Sequence, residues 1–132
     1  MNSVIRPSVV HYASFPEAAS GRGPIAHTLG VIARDSFFHA VELGWVADPE
    51  ERRRAARIAA LSGLEVGYSA QVAQLARNLN LSSADEGRRR AAVAEVAGYI
   101  GEAVDLGAKA FAVLSGPDTP PEQRGHALDA LA

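Results

Sequence analysis

Apolar positions along this chain change period in a regular order, from short continuous or alternating runs to one-in-three-or-four spacing and back. Each change is punctuated by Pro, Gly or an acidic residue. Ser8 to Phe15 is a short β-rich run ended by Pro16, which cannot donate to a sheet ladder, and it predicts a first strand. Pro24 then opens a stripe of Ile25, Leu29 and Ile32 that predicts a helix extending close to Ser36. His39 to Val46 returns to strand character. Asp48-Pro49-Glu50-Glu51 supplies an N-cap, a proline in the first turn and acids at the positive end of the helix dipole. The helix that follows has Ala55, Ile58, Ala59 and Ser62 as its inward stripe and Gly63 as its left-handed stop.

Leu64 to Ser69 predicts a third strand, and Gln71 to Ser82 an ordered excursion whose Val72, Leu75, Leu79 and Leu81 need a surface to cover. Ser83-Ala84-Asp85-Glu86 matches a capping box ahead of a long helix with Val93, Val96, Ala97, Ile100 and Val104 on its apolar face, closing at Gly107. Lys109 to Leu114 predicts strand four, and Thr119-Pro120-Pro121-Glu122 a further capped helix carrying Leu128 and Leu131.

Strand alternating with helix selects an α/β fold in which parallel strands are joined by right-handed crossovers, here a (βα)4 parallel-sheet unit forming a single domain over residues 1–132. Two arrangements share that pattern. Strands in sequential order make half of a TIM barrel, whereas one reversal of order makes a doubly wound sheet, the form of a non-enzymatic binding or regulatory module. In both, the site lies beyond the C-terminal ends of the strands. Those ends bring His11, Tyr12, Ser14, Glu42, Trp45, Tyr68, Ser69, Gln71, Ser115 and Gly116 to one mouth. Hydroxyl, amide and carboxylate partners beside aromatic walls suit a sugar or polyol.

Charge narrows the partners. With 13 basic against 15 acidic residues, the chain has no electrostatic case for nucleic acid or an anionic membrane. Arg52 to Arg54 and Arg88 to Arg90 read as solvated, ion-paired helix faces, with Glu50, Asp85 and Glu86 four residues before Arg54, Arg89 and Arg90. The absence of cysteine excludes a thiol nucleophile and a disulfide framework, and fits a reducing compartment. With no signal-like start and no apolar run near the ~20 residues that span a bilayer, the expectation is a cytoplasmic protein without a membrane partner. For a metal only His11 and Glu42 are placed to converge, too few donors for a site. Gly21-Arg22-Gly23 offers backbone donors to an anion at a helix start, but reads first as a turn.

Ala40-Val-Glu-Leu43, Asp48-Pro-Glu-Glu51, Ser62-Gly-Leu-Glu-Val-Gly-Tyr-Ser69, the Leu79-Asn-Leu-Ser-Ser83 segment and Asp105 to Asp118 resemble the sugar phosphate isomerase/epimerase superfamily, the xylose-isomerase-like TIM barrels. The resemblance implies an N-terminal half-barrel related to enzymes that move a proton beside a carbonyl, usually with a divalent metal such as Mn or Mg. Their metal ligands come mostly from later strands, so the implied half is inactive alone and holds no metal. His11, Glu42, Trp45, Tyr68, Gln71 and Ser115 remain as substrate-side rim. A half-barrel also leaves two strand edges and an interior layer, assigned to Val10, Val41, Val66 and Val113 or their neighbours, to be covered, which predicts a homodimer or larger assembly in which strand one or strand four meets a partner, or else packing of the Gln71 to Ser82 excursion across the open face.

Overall fold

The computed structural model describes residues 5–132. Four parallel strands, β1 (Ser8–Val10), β2 (Ala40–Leu43), β3 (Glu65–Ser69) and β4 (Ala110–Ala112), form one sheet in the order β1-β2-β3-β4. No reversal occurs among them, so the doubly wound arrangement is set aside in favour of a sequential (βα)4 unit. The register pairs Val9 with Val41, Val41 with Val66 and Tyr68 with Phe111.

Strand alternation assigns the two faces. Val9, Val41, Leu43, Val66, Tyr68 and Phe111 lie on one, packed with Ile25, Leu29 and Ile32 of α2 (Ile25–Ile32), Ala55 and Ala59 of α3 (Pro49–Ser62), and Val96, Tyr99 and Ala103 of α5 (Glu86–Asp105). All three long helices therefore cover the same face. Val41, Leu43 and Tyr68 are nearly inaccessible, and burying each such side chain contributes about 1.5–3 kcal/mol. Ser8, Val10, Ala40, Glu42, Gly67, Ser69, Ala110 and Ala112 fall on the opposite face. The assignment of Val41 and Val66 themselves to an interior layer is thus corrected: they belong to the helix-facing core, and their strand neighbours, small or polar residues with Val10, form the other face.

Local signals explain most boundaries. Asp48 caps α3 by accepting from Glu50 N–H at 2.9 Å, and Gly63 ends it at φ 72°. Asp85, not Ser83, caps α5, accepting from Arg88 N–H at 3.0 Å, while Ser83 accepts from Asp85 N–H. The excursion is ordered as α4 (Gln71–Arg77) with Asn78 in the left-handed conformation. Buried Gln74 uses its amide on both backbone groups of Leu114, accepting at 2.8 Å and donating at 2.9 Å, and so fixes the chain leaving β4.

Several expectations are corrected. The first strand ends at Val10, because His11 to Ser14 turn into a short helix, α1 (His11–Ser14), whose Ser14 hydroxyl donates to Val10 O. The second strand stops at Leu43 and the first long helix at Ile32. On α5 the buried stripe is Ala92, Val96, Tyr99 and Ala103, leaving Val93, Ile100 and Val104 exposed. Thr119 caps nothing; a 3-10 turn at Pro121–Gln123 leads into α6 (Arg124–Asp129) without a side-chain cap. Of the expected arginine pairs, Glu86–Arg90 forms, whereas Glu50 and Asp85 take Arg53 and Arg88 three residues on. Among the described residues no helix is long and apolar enough to cross a membrane.

Candidate functional site

Three strand ends meet at one polar cluster. The Tyr12 hydroxyl, brought over the sheet by α1, donates to Glu42 Oε1 of β2 at 2.6 Å and lies 3.2 Å from Ser69 Oγ of β3. A phenol has one proton. Given to the carboxylate, it leaves the phenol oxygen to accept from Ser69. Burial, followed by the bond to Glu42, raises the Tyr12 pKa above its ordinary value, so the phenol stays protonated and holds the carboxylate in place. Gly44 permits this posture: a Cβ there would sit 3.3 Å from Tyr12 Cδ1. The cluster stands on the sheet face opposite α2, α3 and α5, with Tyr12 of α1 against Ser69, which is fully buried.

The other rim candidates go elsewhere. His11 is buried, with Nε2 at 2.8 Å from Thr28 Oγ1 on α2; burial lowers its pKa, with Glu17 opposing. Thr28 Oγ1 also lies within donating distance of Pro24 O and Ile25 O, so it accepts from the imidazole while serving its own helix. This is a packing histidine. Trp45 donates from Nε1 to Ala19 O and meets Tyr99 edge-on, with the Arg77 guanidinium 5.6 Å from its ring centroid. It packs, partly buried, against the core of the helix layer.

Tyr68, expected in the mouth, points into that layer instead, stacked between Tyr99 and Phe111. Its hydroxyl donates to Glu102 Oε2 at 2.9 Å, and burial, then the Glu102 charge, pushes its pKa up. The reason is parity: one strand position separates Tyr68 from Ser69, and that reverses the face. Gln71 is half-buried at the start of α4, and exposed Ser115 lines a separate cleft of about 240 Å³ with Ser82, Gly116 and Arg124. Of the six rim residues, only Glu42 thus joins the cluster.

No divalent-ion site follows from these side chains. His11 faces Thr28, Glu42 is held by Tyr12, and among the described residues no three His, Cys, Asp or Glu side chains are grouped to hold a metal. The helix start that follows Gly21-Arg22-Gly23 has an acceptor from the protein itself. The Glu51 carboxylate accepts from Ala26 N–H at 2.7 Å and occupies that helix start.

A second polar network lies among the elements. Glu102 on α5 accepts from Tyr68 and from Val46 N–H at 3.1 Å, and pairs with Arg52 of α3 at 3.3 Å. Arg52 also donates to Val46 O at 2.9 Å and pairs with Asp105 at 3.0 Å. It joins two helices to the loop after β2 and is structural. Helical spacing alone reads Arg52 as one more solvated arginine, and nothing in its local sequence distinguishes it from Arg53. No protein-family model matches the chain, and no curated protein matches it.

Proposed function

We propose that the chain acts as the N-terminal half of a sugar (phosphate) isomerase/epimerase-like protein of the xylose-isomerase-like barrel type, binding part of the substrate and inactive alone. The observation supporting this reading is the Tyr12–Glu42–Ser69 cluster at the C-terminal ends of the first three strands, on the face opposite the three long helices. Strand ends are where (βα)-repeat enzymes build their sites. A carboxylate beside a phenol and a hydroxyl matches the donors and acceptors of a sugar or polyol. Proton transfer and any Mn or Mg ion belong to groups outside this cluster in this reading, since among the described residues no further metal donors are grouped with Glu42.

The same reading places the protein in the cytoplasm and gives it a second copy as partner. Such a copy would cover the unpaired edges of β1 and β4 and the exposed Val93, Ile100 and Val104 of α5.

Isotope-labelled protein titrated with monosaccharides tests the binding claim: saturable amide shifts at Glu42, Gly67 and Ser69 are expected, and their loss in Glu42→Gln. No shift with any sugar would overturn it. Turnover of a ketose panel by the chain alone, with manganese present, would overturn the claim of inactivity.

A further inference from the structure

The outer strands β1 and β4 each pair on one side only, so two copies of this chain bring four unpaired edges together. The residues along them are open: Ser8 and Val10 on β1 and Ala110 on β4 are exposed. Pairing β1 with β1 of a second copy about a two-fold axis would run antiparallel and leave both β4 edges bare. Reciprocal pairing of β1 with β4 uses all four edges, keeps every strand parallel and repeats the same contact at both seams, as a two-fold dimer requires.

Both faces of the sheet fit such a ring. The three long helices pack on one face, which becomes the outside. The opposite face carries small side chains in register across the strands, Ala40 beside Glu65 at one end and Gly67 beside Ala110 farther along. Eight strands enclose an interior that large side chains fill or that has room for one small ligand, and small residues give the second case.

The helix layer is unfinished at the same two edges. Beside β4, Ile100, Val104 and Phe111 line an apolar groove of about 240 Å³, with Ile100 and Val104 exposed. On the β1 side, Val31 of α2 and Phe37 in the loop entering β2 are exposed. Charge is complementary as well. Asp35 in that loop and Lys109 at the start of β4 both lie at the N-terminal ends of the strands, and neither has an ion pair among the described residues. Closure sets acid and base on facing sides of each seam.

Resting on the second-copy reading and not on the sugar one, we infer that two copies of this chain close one eight-stranded barrel, β1 of each against β4 of the other. The candidate site is then shared. Two Tyr12–Glu42–Ser69 clusters face a single mouth, and one ligand is held by two chains.

The chain has no cysteine, so introduced thiols report on the seam alone. Neighbouring strands place facing Cα atoms within disulfide reach. Each β1 variant, Ser8→Cys or Val10→Cys, is mixed with each β4 variant, Ala110→Cys or Ala112→Cys, and oxidised in dilute solution beside each variant alone. A disulfide-linked dimer is expected from at least one mixture and from no single variant. Ala110→Lys, whose side chain is solvated in one chain and enclosed in the ring, is expected to lose the dimer in light scattering while keeping the parental Tm. Linkage within single variants but in no mixture, or a dimeric Ala110→Lys, would overturn the barrel and leave the second-copy reading standing. A parent that is monomeric at every concentration would overturn both.

Discussion

Gly21 and Gly63 have nearly the same left-handed backbone, φ 71° and 72°, and differ in what surrounds them. A Cβ at Gly63 meets nothing within 4 Å, whereas at Gly21 it would lie 2.7 Å from the Trp45 indole. Gly63→Ala should therefore cost only the left-handed strain, about 1–2 kcal/mol. Gly21→Ala should cost more, because it also displaces Trp45 from Ala19 and Arg77. Urea unfolding compares the two, and Trp45, the single tryptophan, should shift its emission only in Gly21→Ala. His11 adds a pH dependence. Burial lowers its folded pKa below the unfolded 6.5, so the unfolded chain binds the extra proton and stability falls as pH drops below 6.5. Urea midpoints measured from pH 7.5 to 5.5 should decline in the parent and flatten in His11→Asn; an unchanged slope would place the titrating group elsewhere. Glu86 acts in a lower window. Hydrogen bonds from Arg89 and then Arg90 hold its carboxyl down to about 2, but the group is fully exposed and solvent screens the pairs, so little of that shift reaches stability as pH falls from 4.5 toward 2.

Helix boundaries were legible where the signal is local. Asp48 and Gly63 bracket α3 as their residue types require, and Asp48→Ala should cost about 1 kcal/mol, read from the urea midpoint. The buried face of α5 was not legible in full. Val93, Ile100 and Val104 are at helical spacing and more apolar than Ala92 and Ala103, yet the sheet takes the alanines because their small side chains let the helix approach while Tyr99 reaches Tyr68. Tyr68 itself was misplaced because its identity does not specify a face; only register does. Ion pairs divide in the same way. Glu86 with Arg89 and Arg90 is exposed, and Glu86→Ala should leave the urea midpoint at pH 7 almost unmoved. Glu102→Ala removes the partner of Arg52, Tyr68 and Val46 at once, and a loss of about 2–4 kcal/mol is expected from leaving partly buried polar groups unpaired. A cost below that of Asp48→Ala would mean that water replaces the carboxylate there.

On the scale of the molecule, the sheet is sequential, covered on one face and open along β1 and β4. Light scattering is expected to give a dimer or larger species, shifted toward monomer by Ile100→Glu with Val104→Glu. A monomer at every concentration that binds no hydrophobic dye would contradict the proposed assembly. Alternation of strand and helix periods, with caps at Asp48 and a stop at Gly63, determined by itself that the chain is a parallel α/β unit, because those signals act within a few residues. Glu42 was likewise legible as a strand-end carboxylate. Tertiary structure alone decided that strand order runs 1-2-3-4, that Tyr12 and Ser69 join Glu42 while His11 and Tyr68 turn away, and that Arg52 finds Glu102. Each of these depends on which face a residue presents and on a partner 17 or more positions distant, and short-range periodicity carries neither.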